Sequence, residues 1–480
     1  MKVSICVHGH FYQPPRENPW LEEVELQDSA YPYHDWNSRI TAECYAPNAA
    51  SRILDHERRI IDIVNNYSRI SFNFGPTLLS WMSRHEPEAY HAVLGADKES
   101  RKRFSGHGSA LAQCYNHMIM PLAVSRDKRT QVLWGIRDFE FRFRRKPEGM
   151  WLPETAVDLE TLEIMAECGI LFTILAPAQA RRIRKTSQAD GKDWKEVSGG
   201  LIDPRQPYLC RLPSGRTITL FFYDGLVSHD LAFGDMLSSG EQFARRLREA
   251  AGSGRSRRLV HAATDGETYG HHHRFGEMAL AYCLYLIESA QDEELTVYAE
   301  FLEKHPPAWE VEIYENSSWS CFHGVERWRN DCGCNSGGNR QWNQQWRAPL
   351  RAALGWLREE LERIFEEQSA GLLRGPWQAR DAYIEVILDR SDETVERFLE
   401  THAAGGLTQE QKTRALKLLE MQRHAMLMYT SCGWFFDEIS GIETVQIMQY
   451  AARAIQLARE VAGVVLEDTF ESLLERAPSN

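Results

Sequence analysis

"LVHAATDGETYG", residues 259–270, decides how the fold is read. The run 259–263 is almost wholly apolar, and it stops at Asp265-Gly266-Glu267. A strand buried on both faces reads as a continuous apolar run, and Gly266 permits a tight turn directly after it. The stretch therefore reads as a core strand that delivers a carboxylate at its carboxyl end. An Asp-Gly pair is also an ordinary turn, so the reading depends on whether the pattern recurs.

It does. Residues 3–7 run into His8 and His10; 69–72 run into Asn73 and Gly75; 149–152 run into Glu154; 218–223 end at Asp224-Gly225. Between them lie amphipathic helical stretches, such as Leu159, Leu162, Met165, Ala166 and Ile170, followed by another strand over 171–175. Apolar runs that each end in a polar residue are the one-dimensional trace of a parallel α/β barrel, whose active site lies at the carboxyl ends of its strands. An open doubly wound sheet leaves a similar trace. Residues 181–200 are polar and Gly-ended and read as a long excursion over the barrel. From about residue 340 the pattern changes to helices, near 346–368, 378–400, 409–430 and 442–463. The expected division is a catalytic barrel over 1–310 and a helical C-terminal domain over 311–480. A loop over 319–346 is expected at the rim of the cleft.

Composition narrows the function. A net charge of −13 disfavours nucleic acid and anionic membranes as partners. Residues 3–7 are too short for the apolar region of a secretion signal, and no stretch reaches the roughly 18 apolar residues of a membrane span. Ten cysteines in 480 residues fall short of a disulfide scaffold. The expected location is cytoplasmic. Fourteen tryptophans are many for this length, and their flat aromatic faces suit sugar rings as well as cores.

Three segments carry the chemistry. Glu154 follows Pro153, which ends its strand, and a Glu there is also a favourable first-turn helix acid. Asp265 ends a second strand, and two convergent carboxylates perform glycoside hydrolysis. His8 and His10 alternate on the first strand, so both point to one face, as a sugar-binding or a metal pair. A fourth segment, "CFHGVERWRNDCGCNSGG", brings Cys321, Cys332 and Cys334 together with glycines. Cys-x-Cys is tighter than a usual zinc knuckle; the segment reads as a glycine-rich loop with buried thiols, or as a rigid loop over the sugar cleft on which Trp328 or Trp342 stacks, and a metal or a disulfide here stays open.

On these motifs the chain resembles glycoside hydrolase family 57. "HGHFYQPP" resembles its His-Gln-Pro signature, with Phe11-Tyr12 between His10 and Gln13. "SALAQCYNHMIMPL" matches the second motif in part, at Gln113, His117 and Pro121. "WLPET" matches the nucleophile segment, and "ATDGETYG" the acid/base segment. "CFHGVERW" keeps His323-Gly324 and departs at Glu326-Arg327. The resemblance implies an α/β fold, an incomplete seven-stranded β/α barrel of the glycoside hydrolase/deacetylase type followed by α-helices. It implies a retaining enzyme on an α-glucan or oligosaccharide, with Glu154 as nucleophile, Asp265 as acid/base, and neither metal nor organic cofactor. His8, His10, Gln13, Trp151, Asp224, Glu267, His323 and Trp328 are the expected substrate-binding residues. Two other readings stay open: a metal-dependent carbohydrate deacetylase using His8, His10 and Asp265, and a non-catalytic glucan-binding protein.

Overall fold

The structure is a computed structural model and describes residues 2–188, 193–252 and 259–480. The chain packs as two compact units. The first comprises 1–13, 26–113 and 142–319; the second comprises 14–25, 114–141 and 320–480.

Seven parallel strands organise the first unit: β1 (Val3–Phe11), β2 (Ser71–Phe74), β3 (Ala112–Gln113), β4 (Met150–Trp151), β5 (Phe172–Leu175), β6 (Thr217–Phe222) and β7 (Leu259–Asp265). β1 pairs with β7 on one side and β2 on the other, β3 pairs with β4, and β5 with β6, all parallel. Single bridges, Phe72 to Ala110 and Gly149 to Phe172, carry the sequence of strands across β2–β3 and β4–β5. Between β6 and β7, no ladder forms among the described residues. That seam is spanned by the Asp224 amide donating to the His261 carbonyl (2.9 Å) and the Leu259 amide to the Arg205 carbonyl (3.2 Å). The barrel is incomplete.

Its interior is filled by side chains from alternate strand positions, including Cys6, Trp151, Phe172, Ile174, Phe221, Leu259 and Ala263, with Tyr298 from the helix Tyr298–Lys304. Burying each large apolar side chain of this kind contributes roughly 1.5–3 kcal/mol. The expected excursion over 181–200 begins instead as a strand, Ala180–Lys185, antiparallel to Trp309–Ile313; residues 189–192 of it lie outside the described residues. Alternating Arg and Glu partners hold this pair: Arg182 meets Glu312, and Arg184 meets Glu310. Opposite charges facing across strands stabilise a sheet, which is why a polar run forms one here.

The second unit is helical. The helices Arg347–Ser369, Gln409–Leu427 and Ile442–Ala462 form its frame. In the first, Leu350, Leu354, Leu357, Leu361 and Ile364 are buried at three- and four-residue spacing, so one stripe faces the core. Thr408 and Gln411 cap the second in a reciprocal box, and Gly463 ends the third in the left-handed region (φ 68°). The helix expected over 378–400 is three shorter ones, Pro376–Ala382, Ile384–Leu388 and Asp392–His402. The break before the last follows from Ser391, whose side chain accepts from the Thr394 amide and restarts the helix. Most of the helix Ser125–Phe143 also belongs to this unit, where Arg380 pairs with Asp127 at 2.7 Å with both side chains buried.

Candidate active site

β1, β2 and β7 place their polar ends in one row: the register sets His10 opposite Asn73 on one side and Asp265 on the other. His8 and His10 share a face, as strand alternation requires, and both are buried. Asn73 joins them. Its Oδ1 accepts from His8 Nε2 (3.1 Å), and its Nδ2 donates to His10 Nδ1 (2.8 Å) and to Gln113 Oε1 (2.7 Å). His8 Nδ1 accepts from the Ser71 hydroxyl (3.0 Å). An amide oxygen only accepts and an amide nitrogen only donates, so Asn73 fixes both tautomers, with the proton on Nε2 in each ring. Burial pushes both imidazoles down to about 3, and His10 adds to the effect on His8, so the pair is neutral. Both His8 nitrogens are hydrogen-bonded within the protein, which disfavours His8 as a metal ligand.

Trp151, one residue past Met150 on β4, is fully buried beneath these rings, stacked on His8 (4.9 Å between centroids) and His10 (5.0 Å). It is a floor for the histidines, with no face presented to solvent. Trp319 meets its edge at 5.2 Å.

Glu154 sits just beyond β4 on a strained turn. Glu154 (φ 57°) and Thr155 (φ 49°) both occupy the left-handed region, which costs of order 1–3 kcal/mol at each non-glycine residue. The surroundings hold it there. Gln179, buried, accepts from Thr155 Oγ1 (2.9 Å) and donates to the Thr155 carbonyl (2.8 Å). The Trp319 amide donates to the Glu154 carbonyl (3.1 Å), and the Trp319 indole N–H donates to Glu154 Oε2 (2.9 Å). Strain of this kind, fixed on both sides, aims the carboxylate.

Asp265 is the exposed end of an otherwise buried strand. Crowding by protein, then the negative charges of Glu267 and Glu154, push its carboxyl well above the usual range. Glu267 is buried, accepts from the Tyr12 amide (3.1 Å) and the Tyr45 hydroxyl (2.5 Å), and is raised to about 7, chiefly by burial. Tyr223 lies within the field of Asp265 and packs edge-on to Trp319 at 6.4 Å.

The structure thus gathers Glu154, Asp265, Glu267, His8, His10 and Trp151 in one unit. Asp224 is the N-cap of the helix Gly225–Phe233, accepting from the Leu226 and Val227 amides. The Gln13 side-chain amide donates to the Tyr12 carbonyl (3.1 Å). The run His271–His273 precedes its helix, which starts at Gly276 behind a left-handed Phe275 (φ 65°); His271 pairs with Glu43. His323 and Trp328 belong to the second unit. Trp328 is fully buried, so it has no face open for stacking, and His323 lies among cysteines. Sequence reasoning missed Asn73 as the link between the histidines, and Gln179, Tyr45, Tyr223 and Trp319 altogether. Trp319 carried one signal, an aromatic residue four positions before His323 of the His-Gly motif.

Residues 5–313 match the sequence model of glycosyl hydrolase family 57, and residues 342–480 match that of a domain of unknown function, DUF3536. A search of curated protein sequences finds no match. Among solved structures, an exo-type maltose-forming amylase from Pyrococcus sp. ST04 aligns with TM-score 0.70 at 15% identity, covering 99% of this chain and 83% of its own. A branching enzyme from Thermococcus kodakaraensis aligns with TM-score 0.56 at 15% identity, covering 100% and 95%. An α-amylase from Thermotoga maritima aligns with TM-score 0.58 at 13% identity, covering 99% and 97%. At such identities the likeness is one of fold. Among the described residues, no helix is long and apolar enough to cross a membrane.

Proposed function

The chain belongs to glycosyl hydrolase family 57, and on that premise we propose that it is a retaining enzyme acting on α-glucans, as hydrolase or transglycosylase. The observation that carries the reading is the pair of carboxylates at the ends of β4 and β7, Glu154 aimed by a strained turn and Asp265 with its carboxyl raised well above the usual range, in part by the charge of Glu154. In the first step Glu154 attacks the anomeric carbon while Asp265 gives its proton to the leaving oxygen. Forming the glycosyl ester removes the Glu154 charge. Glu154 is the smallest of the three influences on Asp265, so its carboxyl falls only part of the way. Asp265 then takes a proton from water or from a second sugar hydroxyl, which releases the ester. The buried Gln113 Nε2 has no protein partner, and a sugar hydroxyl at the strand ends would satisfy it. The amylase, branching enzyme and amylase-type neighbours support the α-glucan class.

The test is product analysis by NMR on glycogen, amylose, maltooligosaccharides and trehalose. An α-anomer as first product, with activity on the glucans, supports the proposal. A β-anomer as first product, or inactivity on every glucan alongside acetyl release from an acetylated sugar, overturns it.

A further inference from the structure

Between Ile313 and Arg347, the sole regular element among the described residues is the short 3-10 turn Glu326–Trp328. A connection of this length without ladders of its own is tied down by something else. Inside it, one sulfur-rich cluster is built. Cys321 Sγ lies 4.0 Å from Cys332 Sγ and 4.0 Å from Cys334 Sγ, and Cys334 Sγ lies 3.6 Å from His323 Nδ1. The four ligand atoms all fall within 4.8 Å of one another.

These separations fit donors gathered round one tetrahedral metal ion. A disulfide needs its sulfurs at about 2.05 Å, and all ten cysteines are unbridged. A tetrahedral zinc with Zn–S of ~2.3 Å and Zn–N of ~2.0–2.1 Å sets two sulfurs about 3.8 Å apart, and a sulfur and a nitrogen about 3.6 Å apart. We propose that Cys321, His323, Cys332 and Cys334 bind one structural zinc ion in a Cys₃His site. The donor set is soft, with no carboxylate in the cluster, which disfavours calcium and magnesium.

The backbone is shaped for it. Gly333, between Cys332 and Cys334, adopts φ 79°, a left-handed conformation that turns both thiols of a Cys-x-Cys step to one point. The Cys334 amide faces the Cys332 sulfur in an N–H···S contact. At the other end the Gly324 amide donates to the Cys321 carbonyl (3.1 Å), closing a turn that brings His323 round. Zinc with three thiolates carries a net charge of −1, and the buried Arg347 guanidinium acts electrostatically on Cys332. Binding displaces three thiol protons and makes the metal's binding energy part of the folding energy of this segment.

Metal analysis of the full-length protein, purified without chelator, tests the site. One zinc per chain is expected, with X-ray absorption showing three sulfur scatterers and one nitrogen; cobalt substitution is expected to give tetrahedral d–d bands with sulfur-to-metal charge transfer. Cys334→Ser is expected to lose the ion, and His323→Cys to keep it. Should the serine variant fail to fold, the absorption spectra of the unaltered protein decide by themselves. A chain that binds no zinc after exposure to micromolar zinc, stoichiometric iron in its place, or a disulfide among these cysteines in freshly purified protein overturns the proposal.

Discussion

Two regions of this chain bring reactive side chains together by opposite means. The strand-end site assembles residues far apart in sequence: Asn73 lies 63 residues from His10, and Trp319 lies 165 from Glu154. Parallel ladders set their positions before any side chain acts, and buried hydrogen bonds then fix tautomer and rotamer. The segment 321–334 draws four donors from fourteen consecutive residues, with almost no backbone ladder. One region is preorganised by the fold; the other is organised by what it holds.

The sharpest test of that contrast is Glu154→Ala. If the strand-end site is preorganised, deleting the nucleophile should lower kcat on a glucan by roughly 10⁴-fold or more while leaving the fold intact. Azide should restore turnover of an activated glycosyl donor, with inverted product. Asp265→Asn should follow, with a loss of roughly 10²–10⁴-fold on unactivated glucan. The loss should be much smaller on a donor whose leaving group needs no proton. Equal losses on both donors would reassign the acid. Trp319→Phe keeps the ring and removes the indole donor to Glu154 Oε2, a hydrogen bond to a charged group; roughly a tenfold fall in kcat is expected, with unfolding temperature little changed. A large fall in stability instead would make Trp319 a packing residue.

Glu267→Gln sharpens the comparison most finely. Glu267 stands at about 7 in the folded chain against 4.5 otherwise. A raised carboxyl contributes stability that is fully present below about 4.5 and is lost as pH rises through about 7. The variant should therefore flatten the pH dependence of stability across that window, by about 3 kcal/mol at most. Removing its charge should also let Asp265 ionise more easily, moving the alkaline limb of the pH–rate profile to lower pH. A limb that stays in place would mean that Asp265 does not govern it.

Strand ends were legible because burial and termination leave a one-dimensional mark. Residues 259–265, 217–222 and 172–175 are strands close to where the apolar runs predict them. What escaped notice depends on long-range pairing. Asn73 reads as a polar stop until its register against His10 is known, and Gln179 reads as a loop amide until it is seen bracing Thr155. The role expected for Trp328 failed because exposure is not a property of a residue type: the same ring stacks on sugar or fills a core. A metal at the cysteines stayed one open reading because Cys-x-Cys departs from the usual zinc-knuckle spacing; what spacing does not show is that His323 and the turn at the left-handed Gly333 bring a fourth donor to the same point.

The seam between β6 and β7 has a mechanical consequence. A closed ring of strands resists opening everywhere, because every edge is paired. Here the β6–β7 edge carries no ladder among the described residues and is held by isolated contacts, the Asp224 amide to the His261 carbonyl, the Leu259 amide to the Arg205 carbonyl and the Ala263 amide to the Ser228 hydroxyl (3.1 Å), so the ring behaves as a clamp latched at points. Its first excursions from the native state should run along this line, and the Asp224 amide should exchange with deuterium sooner than the amides of β1, whose ladders are paired on both sides. Tyr223 adjoins Asp224 at this seam and lies within the field of Asp265, so each opening also changes the surroundings of that carboxyl.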